Sequence, residues 1–333
     1  MNQPNAVPFA MSFKGSFTAL CTPFRDGLVD EVALRRLVEF QIAGGTDGLV
    51  PCGTTGETPT LDRDERRRVI AITVEQNRGR ARVVAGGPGN DTRASVEAAR
   101  EAKELGADAV LAVTPYYNKP SQEGLYRHYG AIAEAGLPVV AYNVPSRTSV
   151  DLLPDTVARL HRAGAIAALK EATGSMVRAL ELAELAPGLP LLSGDDFSVA
   201  PFLACGGQGV ISVSSNAVPE RMKALVAAGL AGDSVTARAE QLRLAPLHRA
   251  LFCDTNPIPI KAALVLLGIC GPELRLPMVP LAAALLPALE RALRAVAAAV
   301  PAATRSELGD QTPADLAVEL AGERASAGAE ARS

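Results

Sequence analysis

Four apolar, strand-like runs end at Gly86, Thr114, Tyr142 and Lys170, each 28 residues after the one before. A step of that size is close to one strand–helix–strand repeat, which takes roughly 30 residues. The stretches between these runs carry helical periodicity, over Thr92 to Leu105, Gln122 to Ala135 and Pro154 to Ala163. The alternation extends in both directions through Gly15 to Leu20, Asp47 to Val50, Leu189 to Ser193 and Gly209 to Val213, giving eight short strands. Eight alternating units predict an α/β chain closed into a (β/α)8 TIM barrel rather than a doubly wound sheet. Helical patterns continue from Pro219 to Gly229, Ser234 to Phe252, Pro257 to Leu267 and Pro280 to Val300, the last three reading as a helical appendix. The expected division is residues 13–218 for the barrel, 219–301 for C-terminal helices, and a disordered tail over 302–333, where Ala, Glu, Arg, Gly and Ser dominate.

Barrel enzymes carry their chemistry at the C-terminal ends of the strands. Thr54, Thr55, Tyr117, Tyr142, Lys170 and Gly194 all fall at or just beyond such ends. Lys170 closes the apolar run Ala163 to Leu169, where a buried strand meets a polar loop. An amine held out of water is biased toward its neutral form, and a neutral amine attacks a carbonyl carbon to give a Schiff base. Taken alone, the same lysine equally suits an ion pair with Glu171 or a stem snorkelling to the rim. Tyr142 ends the preceding strand in the same way, and strands about 4.8 Å apart let the two side chains share one pocket.

Other groups extend the constellation. Gly53-Thr-Thr-Gly-Glu57 follows the second strand and combines backbone amides with two hydroxyls, either as a nest for a small anion such as a carboxylate or as a turn with incidental threonines. All five tyrosines fall between Tyr116 and Tyr142; two or three serve packing, whereas Tyr142 and one of the Tyr116-Tyr117 pair emerge at strand ends as proton relays. Arg147, in the loop after the fifth strand, suits bidentate binding of a carboxylate or a surface ion pair. Asp195 and Asp196 suggest a helix N-cap before Phe197 more than a divalent cation site. The three histidines show no ligand spacing, so no metal is expected. Gly86-Gly-Pro-Gly89 lacks the dinucleotide fingerprint, and no P-loop is present. The reading is carbonyl chemistry without a cofactor.

Bulk properties exclude little else. The formal charge of −3 and the absence of any basic helix or zinc-finger pattern give no reason to expect nucleic acid as a partner. The N-terminus lacks a basic region followed by an apolar run, and Val279 to Ala303 is broken by prolines and charges, so a cytoplasmic chain with no membrane span is expected. Five cysteines without a CxxC pair read as buried free thiols.

Taken together, Gly53-Thr-Thr-Gly-Glu57, Thr114-Pro-Tyr-Tyr-Asn118, Tyr142-Asn-Val-Pro-Ser-Arg-Thr148, Leu169-Lys-Glu-Ala-Thr173, Ser193-Gly-Asp-Asp196 and Gly209-Val-Ile-Ser-Val213 resemble the dihydrodipicolinate synthase / N-acetylneuraminate lyase family of class I aldolases, from about Phe13 to Ala295. Tyr142 to Thr148 and Asn256-Pro-Ile-Pro-Ile-Lys261 look most like its synthase branch. The resemblance implies condensation of pyruvate with aspartate 4-semialdehyde in lysine (diaminopimelate) biosynthesis, with Lys170 forming the imine and Tyr142 moving protons. It further implies that Thr54 links Tyr142 to Tyr117, that Thr55 and the Ile211 backbone hold pyruvate, with Gly194 among the binding residues, and that Arg147 receives the semialdehyde carboxylate. A homotetramer, as a dimer of dimers, is implied too, with Tyr117 reaching into a neighbouring site. At the family's lysine-inhibition site Asn90 and Tyr116 match, but Ala94 replaces a glutamate and Arg63 and Arg66 replace histidines, which predicts weak or absent feedback. Two alternatives stand beside the synthase: a pyruvate-dependent sugar-acid aldolase, disfavoured by the cationic Arg147, and a non-catalytic keto-acid-binding barrel, disfavoured by the intact set Lys170, Tyr142, Thr54, Thr55 and Tyr117.

Overall fold

The structure, a computed structural model, describes residues 13–298 apart from Pro88. Its strands in chain order are β1 (Gly15–Ala19), β2 (Phe24–Arg25), β3 (Leu28–Val29), β4 (Gly48–Val50), β5 (Arg82–Gly86), β6 (Ala109–Val113), β7 (Val139–Asn143), β8 (Ala168–Glu171), β9 (Leu191–Ser193) and β10 (Gly209–Ser212). Eight of them, β1 and β4 to β10, pair in parallel and close into a barrel through the β1–β10 seam, while β2 and β3 form a small hairpin. The expected closure is therefore observed. The strand ends at Gly86, Val113, Asn143 and Glu171 fall within one residue of the periodic positions.

Helices alternate with these strands: α1 (Glu31–Ala43), α2 (Arg63–Asn77), α3 (Thr92–Glu104), α4 (Gln122–Ala133), α5 (Pro145–Thr148), α6 (Pro154–Arg162), α7 (Met176–Leu185), α8 (Val199–Ala204) and α9 (Pro219–Leu230). Local chemistry sets several starts. Asp62 and Glu65 form a reciprocal capping box on α2, Asp91 and Ser121 cap α3 and α4, and proline opens α6 and α9. Helix α9 packs against β1 and β10, and α10 (Ser234–Leu251), α11 (Ile258–Leu266) and α12 (Leu286–Ala298) follow it. The last helix begins later than the pattern from Pro280 implied, after a 3-10 turn at Ala283–Leu285. The tail assigned to 302–333 lies outside the described residues.

Strand periodicity divides the core. Alternate residues Phe17, Val84, Leu111, Val140, Tyr142, Ala168, Leu192 and Ile211 fill the barrel interior. Their neighbours, among them Val83, Val110, Ala141, Leu169 and Leu191, pack beneath the surrounding helices. By this parity Lys170 shares the inward face with Ala168, and Glu171 shares the outward face with Leu169. Among the described residues no helix is long and apolar enough to cross a membrane.

Candidate active site

Strands β7 and β8 run in register with Tyr142 opposite Lys170. Both residues are 6% exposed, and the Lys170 Nζ lies 4.2 Å from the centre of the Tyr142 ring. Glu171 does not neutralise the lysine. Its carboxylate points to the other side of the strand and accepts hydrogen bonds from Asn143 Nδ2 at 3.0 Å and from the Thr173 amide at 2.7 Å. Asn143 also donates to Asp151, which is clamped by Arg178 at 2.6 Å. This outward network fixes the ends of β7 and β8, and with them the two inward side chains. Among the described residues no carboxylate lies within ion-pair distance of Lys170.

A cavity of about 210 Å³ opens beside Tyr142, lined also by Thr54, Tyr116, Arg147, Thr148 and the glycines around Gly86. Cys52 borders it too, but burial pushes that thiol up to about 12 against the opposing influence of Arg66, so it stays protonated and does not compete with the amine. Gly194 keeps space beside the lysine. A Cβ there would stand 2.6 Å from Ala172 Cβ and 3.1 Å from Lys170 Cε.

The Gly53–Glu57 loop differs in one respect from an anion nest of free amides. The amides of Gly56, Glu57 and Thr58 are engaged inside the loop with the carbonyls of Gly53 and Thr54. Among the described residues the Thr54 and Thr55 amides have no such acceptor, so an anion there meets these two amides together with the threonine hydroxyls. The loop itself is anchored by a buried ion pair between Glu57 and Lys261, whose ammonium also donates to the Thr22 carbonyl at 2.7 Å. Neither Lys261 nor Asn256 was assigned a role from sequence. Asn256 Nδ2 donates to Thr55 Oγ1 at 3.0 Å, and its backbone carbonyl accepts from Arg147 Nη2 at 3.2 Å. A lysine inside the otherwise apolar helix α11 was the available signal, because a buried ammonium requires a carboxylate partner.

Arg147 sits on the single helical turn α5 rather than in a loop, with Pro145 at its start, and it makes no ion pair among the described residues. Ile211 contributes to the barrel interior beside Tyr142. Tyr117 is not brought together with Tyr142 and Thr54: it is 91% exposed, at a left-handed φ of 72°, while Tyr116 lines the cavity. Tyr129 is a packing tyrosine whose hydroxyl donates to the Ala112 carbonyl. Arg63 and Arg66 both pair with the buried Glu101, Asn90 accepts from Asn118 through its carbonyl, and Ala94 lies in the first turn of α3. Asp195 caps the turn at Phe197, and Asp196 is engaged by the Val213 and Ser214 amides. All five cysteines are free, but only Cys21 and Cys52 are buried; Cys253 is exposed because it lies in the polar turn after α10.

A closed parallel barrel with a sequestered lysine beside a tyrosine at its C-terminal mouth defines a class I aldolase-type enzyme. The chain belongs to the dihydrodipicolinate synthetase family, whose model matches residues 12–296. It is 56% identical over 283 residues to a 4-hydroxy-tetrahydrodipicolinate synthase of Anaeromyxobacter dehalogenans, covering 84% of this chain and 96% of that one. Among solved structures it resembles dihydrodipicolinate synthase from Aquifex aeolicus, with a TM-score of 0.83 and 43% identity over 85% of this chain and 97% of the other. A chloride-inhibited dihydrodipicolinate synthase from Acinetobacter baumannii, solved in complex with pyruvate, matches with a TM-score of 0.84 and 43% identity over 86% and 99% of the two chains.

Proposed function

We propose that this protein condenses pyruvate with L-aspartate 4-semialdehyde to 4-hydroxy-tetrahydrodipicolinate, in the cytoplasm, as a step of lysine biosynthesis. The observation that carries the reading is the Lys170 amine, buried at the barrel mouth without a carboxylate partner among the described residues and 4.2 Å from the Tyr142 ring centre. Attack of Nζ on the pyruvate C2 carbonyl expels water and forms an imine. The imine accepts the electron pair released when a methyl proton leaves, and the resulting enamine carbon attacks the aldehyde. The amino group of the semialdehyde then displaces Lys170 from C2, closing the ring and freeing the amine.

Tyr142 carries protons in these steps, with Thr54 relaying them to Tyr117 supplied by a neighbouring copy in a homotetramer, since within one chain Tyr117 is exposed. Thr55 and the Ile211 backbone hold the keto acid, and Gly194 leaves the space it occupies. Arg147, without an ion-pair partner among the described residues, receives the semialdehyde carboxylate. Borohydride treatment in the presence of pyruvate is expected to attach a covalent adduct to the wild type and none to Lys170→Ala, whose turnover falls by at least about a thousandfold. Parental turnover by that variant would refute the reading. A coupled assay with aspartate 4-semialdehyde, N-acetylmannosamine and glyceraldehyde identifies the acceptor; failure with the semialdehyde alone would select a sugar-acid aldolase instead.

A further inference from the structure

Asn256 lies outside the barrel strands, between α10 and α11, yet its side chain reaches the loop that follows β4. It is 6% exposed, and among the described residues its Nδ2 is the one hydrogen-bond partner of Thr55 Oγ1, at 3.0 Å. An amide nitrogen can only donate. A hydroxyl has one proton and two acceptor lone pairs; with the amide in this orientation, which leaves Asn256 Oδ1 buried and without a partner among the described residues, Thr55 accepts from Asn256 and its own proton is left for another acceptor. The same residue's backbone carbonyl takes Arg147 Nη2 at 3.2 Å, which ties the arginine to this segment independently of the side chain. The loop amides of Gly56, Glu57 and Thr58 are engaged internally, so the direction of the threonine proton matters for an anion arriving there.

We propose that Asn256 is a positioning residue that sets the hydrogen-bond polarity of Thr55, turning its hydroxyl proton toward the carboxylate of the keto acid. This rests on the proposed function, in which Thr55 binds pyruvate. It makes the asparagine amide, rather than its shape, the functional property. Without that donor the hydroxyl rotates freely. A carboxylate at the same position accepts the threonine proton and presents lone pairs to the anion.

The test is a pair of double-mutant cycles in the full-length enzyme, N256A with T55V and N256D with T55V, read as the KM for pyruvate and for the semialdehyde. N256A is expected to raise the pyruvate KM about tenfold, the cost of one hydrogen bond to a charged group. The semialdehyde KM should stay within about twofold, because the Arg147 contact is to backbone. In the T55V background N256A should add less than about twofold, and the effect of N256D, larger than that of N256A in the wild type, should shrink several-fold. Effects that multiply in full with T55V in both cycles would overturn the proposal, as would N256D lying closer to wild type than N256A. If N256A does not fold, the N256D cycle decides the matter by the same criterion. Pyruvate-dependent borohydride trapping of the wild type separates the two levels: no adduct overturns the proposed function, whereas a normal adduct with fully multiplicative cycles overturns only the role of Asn256.

Discussion

Replacing Lys261 by methionine removes one member of an ion pair whose side chains are 1% and 3% exposed. The Glu57 carboxylate would remain buried with the Arg275 amide as its remaining donor, at 3.1 Å, and the Thr22 carbonyl would lose its ammonium partner. Breaking a buried pair on one side typically costs about 3–5 kcal/mol, because the surviving charge is uncompensated. An unfolding entropy of about 2.1 cal/mol/K per residue gives a chain of this length about 0.6–0.7 kcal/mol/K, so that loss lowers the melting midpoint by about 4–8 °C. Differential scanning calorimetry of the wild type, Lys261→Met, Glu57→Gln and the double variant measures it. The double variant should recover most of the loss, since removing both charges also removes their desolvation penalty. Because Glu57 anchors the loop that bears Thr54 and Thr55, Lys261→Met should also raise the KM for pyruvate. A midpoint within about 2 °C of wild type, or a double variant as unstable as Lys261→Met, would refute the claim that this pair pins the loop.

Gly194→Ala, which forces a Cβ against Ala172 and the Lys170 stem, should lower kcat at least about tenfold while costing about 1–3 kcal/mol of stability, as measured by steady-state kinetics and thermal melting. L-Lysine at micromolar concentration should leave the initial rate unchanged, since Ala94 offers no carboxylate to an ammonium and Arg63 and Arg66 add positive charge; strong inhibition in a titration would contradict this. Burial holds His128 down at about 4, opposed in part by Asp91, so between pH 6.5 and 4 the unfolded chain binds a proton that the folded chain does not. The resulting stability is full above about pH 6.5 and is lost as the pH falls toward 4, by about 3 kcal/mol. His128→Gln should flatten that part of the pH–stability curve, measured by thermal melting against wild type.

The barrel was legible because its signals are local. Four successive strand runs keep one interval, and period-two alternation assigns Tyr142 and Lys170 to one face before any packing is known. The lysine's freedom from Glu171 follows from the same alternation, although confirming it required the Asn143 and Thr173 contacts that occupy the carboxylate. Arg147 was found by its residue type, but not the helical turn that holds it. Of the loop amides that looked available in sequence, those of Gly56, Glu57 and Thr58 are taken, because the turn closes on its own carbonyls.

Sequence alone determined the order of strands and helices, the inward faces, and the lysine and tyrosine that meet on adjacent strands, since these depend on backbone periods of a few residues. Only the tertiary structure decided that Asn256 meets Thr55 and that Lys261 meets Glu57, partners separated by 201 and 204 positions. Such pairings arise when the barrel closes and the later helices settle against its mouth. No short-range pattern encodes them, because what selects each partner is the need of a buried polar group for a complement wherever the fold happens to bring one.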